Sequence, residues 1–326
     1  MGNKIEAYIQ EYMKVTEKQL IERPQHIARD FNIESSMTRD YAGRQLLELI
    51  QNADDAAVSA VKKHMLILID EEKLIVANNG EPFTKEGFDS LFFSHLSPKI
   101  HDESIGHKGL GFRAVLSWAH EITIYSSGIT VRFSEEIAQE FWDRIKTHNG
   151  LEDRVLRSTN KDIGECPIAM LSIPQIVAEP RPGLPDYDTV IELTLRPDIL
   201  DEVEAQLEEI MQPEALLFFN QLDQVKIVNH GSETIITRKI ENTPAGKKST
   251  VSIKKPDCKE PTVKTWHLLE HQWVTRVNQQ TNKDHIIMAY NEELDDDVNS
   301  LYSYYPTNVE FTAPFIVHAS FDVTSD

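Results

Sequence analysis

Hydrophobic and polar residues follow two periods along this chain, and each period predicts one kind of element. Apolar residues three and four positions apart favour helices; this spacing occurs at residues 4–20, 39–63, 85–93, 114–119, 135–147 and from about residue 200. Short apolar or alternating runs between turn residues favour strands; before residue 222 they occur at 65–69, 74–77, 122–125, 131–133, 168–173 and 189–195. We therefore expect helices and strands to be interleaved over this part of the chain.

The pattern changes near residue 222. Beyond it, short strands between polar turns predominate, at residues 224–228, 234–240, 249–253, 263–268, 285–290 and 314–321. A chain of 326 residues has a prior expectation of two domains. We therefore predict a first domain over residues 1–221, beginning with a helical extension, and a smaller β-rich domain over residues 222–326.

Composition and charge narrow the class of protein. The two cysteines are too few for a disulfide framework or a zinc site, which fits a reducing, cytoplasmic location. The first residues are charged throughout and lack the apolar core of a secretion signal, and no apolar run approaches membrane-spanning length. The net charge of -20 argues against a broad nucleic-acid-binding face. A protein this acidic can bind an anionic ligand only by concentrating positive potential locally.

The predicted helix over residues 39–63 carries three oxygen-bearing side chains at i, i+4 and i+7: Glu48, Asn52 and Asp55. This spacing places them on one helix face, where they can meet one ligand. An amide oxygen is a hard, neutral metal ligand, and a carboxylate one turn earlier can take a proton from water. The alternative interpretation is an ordinary solvated acidic face, since short motifs often occur by chance.

A glycine-rich segment is the second candidate. Gly106-x-Lys108-Gly109-x-Gly111 precedes a predicted helix. Glycines allow backbone N–H groups to approach phosphate oxygens, the helix adds its positive end, and Lys108 adds a charge. The segment lacks the ending of a Walker A motif. A glycine-rich hinge without a ligand explains it equally well.

Two strand ends supply the remaining candidates. Asn78-Asn79-Gly80 follows a buried strand, where a polar side chain can face a ligand base, and Thr189 begins a half-buried strand after Asp188. An ordinary hairpin exit and the β-propensity of threonine are the alternatives.

These four segments, in this order, resemble the motifs of the GHKL ATPase superfamily, which includes gyrase B, the heat-shock-90 chaperones, histidine kinases and MutL. The matching stretches are Glu48-x-x-x-Asn52-x-x-Asp55-Ala56, Asn78-Asn79-Gly80, Gly106-x-Lys108-Gly109-x-Gly111-Phe112 and Asp188-Thr189-x-Ile191-x-Leu193. The amino-acid sequence of residues 46–56 and 79–83 is most similar to the sacsin-like and heat-shock-90-like branch. The resemblance covers residues 41–195 and is loose beyond residue 222.

The resemblance implies an α/β (α+β) two-layer sandwich, the Bergerat fold, in which ATP lies between helices and a mixed sheet. It implies that Asn52 holds Mg²⁺ and that Glu48 activates the attacking water. The other positions that it assigns to nucleotide binding are Asp55, Asn78, Gly80, Gly106, Lys108, Gly109, Gly111, Phe112 and Thr189. The glycine segment would be a lid that orders with nucleotide and couples ATP to dimerisation.

Three positions depart from the family pattern. Asn78 stands where the family has the aspartate that accepts from the adenine amino group, and its uncharged amide still accepts one hydrogen bond. Pro82 and Asp188 each replace a glycine. Adenine selectivity is therefore expected to be weaker, whereas Glu48, Asn52 and Lys108 leave hydrolysis intact.

Three functions are compatible with these residues. The first is a slow, Mg²⁺-dependent ATPase that binds ATP or ADP, switches conformation and forms a homodimer of this chain. The second is a nucleotide-gated binding module that barely hydrolyses ATP. The third, a histidine kinase, has only His26 as a phosphoacceptor, too close to the first motif. The sequence ends soon after an apolar strand without a polar tail, which favours a fragment of a longer protein. The client or effector stays open between chaperone, nucleic-acid remodelling and defence roles.

Overall fold

The computed structural model describes residues 2–93, 111–244, 246–277, 280–292, 300–303 and 305–319. Its α-helices are α1 Gly2–Glu22, α2 Gln25–Asp40, α3 Gln45–Ala56, α4 Lys85–Phe92, α5 Glu135–Ile145, α6 Leu151–Thr159 and α7 Leu200–Ile210. Short 3₁₀ turns lie at Ala57–Ser59, Gly111–Ser117, His148–Gly150 and Met170–Ser172.

Strands alternate with these helices and then follow one another. They are β1 His64–Asp70, β2 Lys73–Asn78, β3 Ala119–Ser126, β4 Ile129–Ser134, β5 Gln175–Ile176, β6 Thr189–Leu195, β7 Gln224–Asn229, β8 Ser232–Thr243, β9 Gly246–Lys254, β10 Thr262–Val277, β11 Gln280–Tyr290, β12 Ser300–Ser303, β13 Tyr305–Glu310 and β14 Ile316–Ala319. The fold is thus mixed α/β.

Within the described residues these strands form one mixed sheet. Its order is β13-β12-β14-β11-β10-β9-β8-β7-β1-β2-β6-β3-β4-β5. β1 and β7 pair in parallel, as do β12 and β14, and the other neighbours are antiparallel. The sheet continues across residue 222 because β7 pairs with β1 from His64↔Gln224 to Ile69↔Asn229. The predicted domain boundary at this residue therefore lies inside a continuous sheet and stays a prediction.

One face of the sheet carries helices because its strands present alternate apolar residues to them. The main core joins these residues to α1, α3, α4 and α7, and it includes Ile9, Ile50, Phe88 and Leu207. A second core lies among α5, α6 and parts of α1 and α2, around Trp142. On the opposite sheet face, a small apolar cluster around Ala77 and Val190 packs against Leu184 and Tyr187.

Several predicted elements differ from the structure. The long helix predicted over residues 39–63 is shorter, since α2 ends at Asp40 and α3 begins only at Gln45, after Gly43 with φ +83°. The helix predicted at 114–119 is a 3₁₀ turn, and Ala119 already belongs to β3. The strand predicted at 168–173 is wrong: those residues contain a 3₁₀ turn. The strand predicted at 263–268 is much longer, β10, and of the strand predicted at 314–321 the structure shows β14, residues 320–321 lying outside the described ranges. The remaining predicted helices and strands are confirmed with modest changes of bounds.

Candidate functional site

Helix α3 is buried on nearly all sides, and this fixes the face that carries the candidate residues. Its apolar side chains enter the main core, and Glu48 is buried as well, at 7% exposure. Asn52 and Asp55 are half-buried on the same side of the helix. Among the residues that the structure describes, none hydrogen-bonds to the Asn52 side chain. A buried carboxylate therefore lies one turn from an amide that is available to a ligand.

Three of the described residues lie near the carboxylate of Glu48. Gly111 lies against it so closely that a β-carbon at position 111 would overlap Oε2. The guanidinium of Arg44 lies 3.9 Å from Oε1. Tyr41 is near enough that the charge of Glu48 adds to the burial that raises the pKa of the tyrosine. The sequence indicated neither Tyr41 nor Arg44, although they stand seven and four residues before Glu48, at helical spacing.

The turn after β2 packs directly on the carboxyl end of α3. Gly80 has φ +133°, and a β-carbon there would overlap the carbonyl oxygen of Ala56. Glu81 donates its backbone N–H to that same oxygen at 2.8 Å. Gly80 is thus required by a close approach of two backbones, and its predicted part in nucleotide binding stays a prediction.

The ends of β2 and β6 meet at this turn. Asn78 and Thr189 are register partners, and the Asp188 N–H donates to the Asn78 carbonyl at 3.0 Å. The Asp188 carboxylate in turn accepts from the Gly80 N–H at 2.8 Å. Asp188 therefore joins the turn after β2 to the start of β6.

Three polar side chains lie in the interior beside this turn. Asn78 is 6% exposed, and its Nδ2 donates to the Asn79 carbonyl at 3.3 Å. This bond orients the amide, so that Oδ1 is left as an uncharged acceptor. The hydroxyls of Thr189 and Ser126 are 2.8 Å apart, both buried. Alternation along β2 and β6 puts Asn78 and Thr189 on the sheet face that carries α3.

The glycine segment is described only at its end. Gly106, Lys108 and Gly109 lie outside the described residues, so their predicted roles stay predictions. Phe112 follows Gly111 and is 3% exposed in the main core.

The next residue, Arg113, is fully buried. It donates to the carbonyl of Leu91 at the end of α4 at 2.7 Å, and its own carbonyl accepts from Thr38 at 3.3 Å. Phe112 and Arg113 thus anchor the end of the segment beside Glu48.

Sequence reasoning missed Asp54, which is fully buried between two candidate positions of α3. Its carboxylate accepts the backbone N–H groups of Asn220, Gln221 and Leu222, at 3.0, 2.8 and 2.6 Å. Burial raises the pKa of Asp54, and these N–H groups and Arg238 oppose the rise. Its position on the inward side of the predicted helix, among apolar neighbours, was the only signal in the sequence.

The side chains near α3 suit an Mg²⁺ ion that is bound mainly by the phosphates of a ligand. In the described part of the chain, no group of three or more His, Cys, Asp or Glu side chains could hold a metal ion. Mg²⁺, however, is usually held by one or two protein oxygens together with substrate phosphates. The available amide of Asn52 meets that requirement.

No helix in the described ranges is both long and apolar enough to cross a membrane. No protein-family model matches the chain, and no curated protein matches it either.

Proposed function

We propose that this chain binds ATP with Mg²⁺ in a Bergerat-type site, a two-layer arrangement of helices on a mixed sheet, and hydrolyses it slowly. The nucleotide would lie between α3 and the ends of β2 and β6. Hydrolysis would drive a lid and dimer switch.

One observation carries this proposal: four segments that are far apart in sequence touch one another around α3. Gly111 contacts Glu48, Gly80 contacts Ala56, and Asn78 pairs with Thr189. Each contact joins two of the four motif segments. An accidental set of short motifs would have no reason to converge, because short matches arise independently along a sequence.

The chemistry follows from the side chains at this point. Glu48 would accept a proton from the attacking water, for which it must stay ionised. The guanidinium of Arg44 lies 3.9 Å from this carboxylate and places a positive charge beside it. When bound, Mg²⁺ would neutralise phosphate charge, with Asn52 as the protein ligand.

The test compares binding with turnover in the same preparation. We expect calorimetry to detect ATP binding by the native chain in the presence of Mg²⁺. Glu48→Ala should keep that binding and lose hydrolysis, since only the base is removed. Absence of binding heat with both ATP and ADP would refute the proposal, and equal hydrolysis by the variant would refute the role of Glu48.

A nucleotide-gated binding module with little hydrolysis is the second candidate. It is favoured by the uncharged Asn78 at the position where the family has an aspartate. Tight binding of ATP with turnover equal to a protein-free blank would support it. Nucleotide-dependent sizing, with a non-hydrolysable ATP analogue, tests the dimer in either case.

A further inference from the structure

Residues 214–222, here called the linking segment, lie between the candidate site and the β-rich strands. On one side the segment contacts α3 through Asp54, whose buried carboxylate takes three consecutive backbone N–H groups. Successive backbone N–H groups of this kind form a favourable binding site for an anion. The segment is therefore held to the same helix that carries Glu48 and Asn52.

Strand β8 contacts the backbone carbonyl groups of the segment through Arg238. Arg238 is 7% exposed, and its guanidinium donates to the carbonyls of Phe219 and Leu216. Burial lowers the pKa of Arg238 to about 10, so the side chain stays charged at neutral pH. The Asp54 carboxylate thus accepts hydrogen bonds from N–H groups of the segment, and the Arg238 guanidinium donates to its carbonyls.

Three further strands, β10, β12 and β14, contact the same segment. Lys264 of β10 lies 2.9 Å from the carboxylate of Glu214, and both side chains are largely buried. Phe218 stacks on His318 of β14, with ring centres 4.7 Å apart, and meets Tyr302 of β12 edge-on at 5.5 Å. Each of these strands therefore has its own contact with the segment.

We infer that Asp54 and Arg238 are positioning residues, which couple α3 to strands β8, β10 and β14 through the linking segment. A displacement of α3 would move the fully buried Asp54 carboxylate away from these three N–H groups, so the segment must follow or the carboxylate loses its hydrogen-bond donors. Coupling of nucleotide binding to these strands rests on the proposed function, because nucleotide is what would displace α3. The mechanical coupling itself does not depend on nucleotide.

The test uses hydrogen–deuterium exchange on the full chain without nucleotide. Asp54→Asn should speed exchange at least threefold in β8, which Asp54 does not contact by a hydrogen bond. Arg238→Met should reciprocally speed exchange in the carboxyl half of α3. If each variant accelerates exchange only in its own element and the linking segment, the coupling is refuted.

A matched control separates coupling from simple loss of stability. Val155→Ala removes buried methyl groups from the second core, away from the linking segment. It should lower the melting temperature to a similar extent without a selective change in α3 or β8. Selective acceleration of those two elements in Val155→Ala would also overturn the inference.

A second arm adds Mg²⁺ and a non-hydrolysable ATP analogue. The native chain should show slower exchange in α3, the linking segment and β8, whereas Asp54→Asn should bind the analogue and show slowing in α3 alone. Protection of α3 without protection of β8 in the native chain would contradict the inference. Absence of binding would instead refute the proposed function and leave the nucleotide-free arm to decide the coupling.

Discussion

Gly111 and Glu48 touch so closely that the glycine leaves no room for a methyl group beside the carboxylate oxygen Oε2. A second glycine, Gly80, is equally crowded, but by the backbone carbonyl of Ala56. The two contacts differ in what can move. A carboxylate at the end of a flexible side chain can rotate away, whereas a helix backbone cannot.

Gly111→Ala should therefore leave the fold intact and impair catalysis. The added methyl group displaces the Glu48 carboxylate, and a positioned general base contributes about 10²–10⁴-fold to a rate. We expect ATP turnover to fall at least about tenfold, with a melting temperature close to native. Gly183→Ala, where a β-carbon meets no atom within 4 Å, is the control and should change neither quantity. Undiminished turnover in Gly111→Ala would show that Glu48 does not act from its observed position.

Gly80→Ala should destabilise the fold instead. The substitution combines a strained φ of +133° with overlap of the α3 backbone, for a cost of about 2–4 kcal/mol in the free energy of unfolding. Gly128→Ala serves as the control, because φ is +77° there and the space is open. It should cost only the conformational strain, about 1–2 kcal/mol. Urea titration of both variants gives the comparison, and equal losses would show that the contact with α3 contributes nothing.

Asn78→Asp should sharpen the choice of base. A charged acceptor contributes about 1.5–3 kcal/mol to a hydrogen bond, against about 0.5–1.5 kcal/mol for a neutral one. An aspartate would accept from the adenine amino group and repel the oxygen that guanine carries at that position. We expect the ratio of ATP to GTP affinity, measured by calorimetry, to rise about tenfold in the variant. A ratio that does not change would place the base elsewhere.

His318 should make the fold sensitive to mild acid. It is fully buried against Phe218, with His285 Nε2 3.3 Å from its own Nε2 and the Tyr302 carbonyl 3.2 Å from its Nδ1. Burial lowers its pKa from 6.5 to about 3. A histidine with a lowered pKa stabilises the fold above the unfolded-state value and loses that contribution as the pH falls from 6.5 towards 3.

The expected loss from this residue between pH 7 and pH 5 is about 2 kcal/mol. Chemical denaturation at the two pH values measures it. In His318→Asn the decline should be smaller by that amount, whereas His267→Asn, at an exposed position of β10, should keep the native pH dependence. An identical decline in native protein and His318→Asn would show that His318 is not the titrating group.

The strands nearest the site were predictable because their own residues define them. β1 and β2 are apolar runs separated by a charged turn, and β6 begins at Thr189 and ends at Leu195, as the alternation predicts. The order of the four motifs likewise comes from local sequence. Their contacts with one another could be expected only through the family resemblance.

Other features depend on partners that are distant in sequence. The apolar run at 168–173 predicts a strand, but the backbone N–H groups of Met170 and Leu171 bond to the buried carboxylate of Glu34 in α2. Helix α2 itself was not predicted, because only three of its residues are buried and its apolar period is sparse. The role of Asp54 was missed for the same reason, because its hydrogen-bond partners are more than 160 residues away in sequence.

The parallel pairing of β1 with β7 has a practical consequence for dissecting the protein. β7 covers one whole side of β1 over six register pairs. A truncation at residue 221 would strip the backbone hydrogen-bonding groups of an apolar central strand and leave them facing water. Such an uncovered strand is a template for pairing with other chains. Shortened versions should therefore retain β7 and β8, or they will self-associate through a surface that the intact protein never presents.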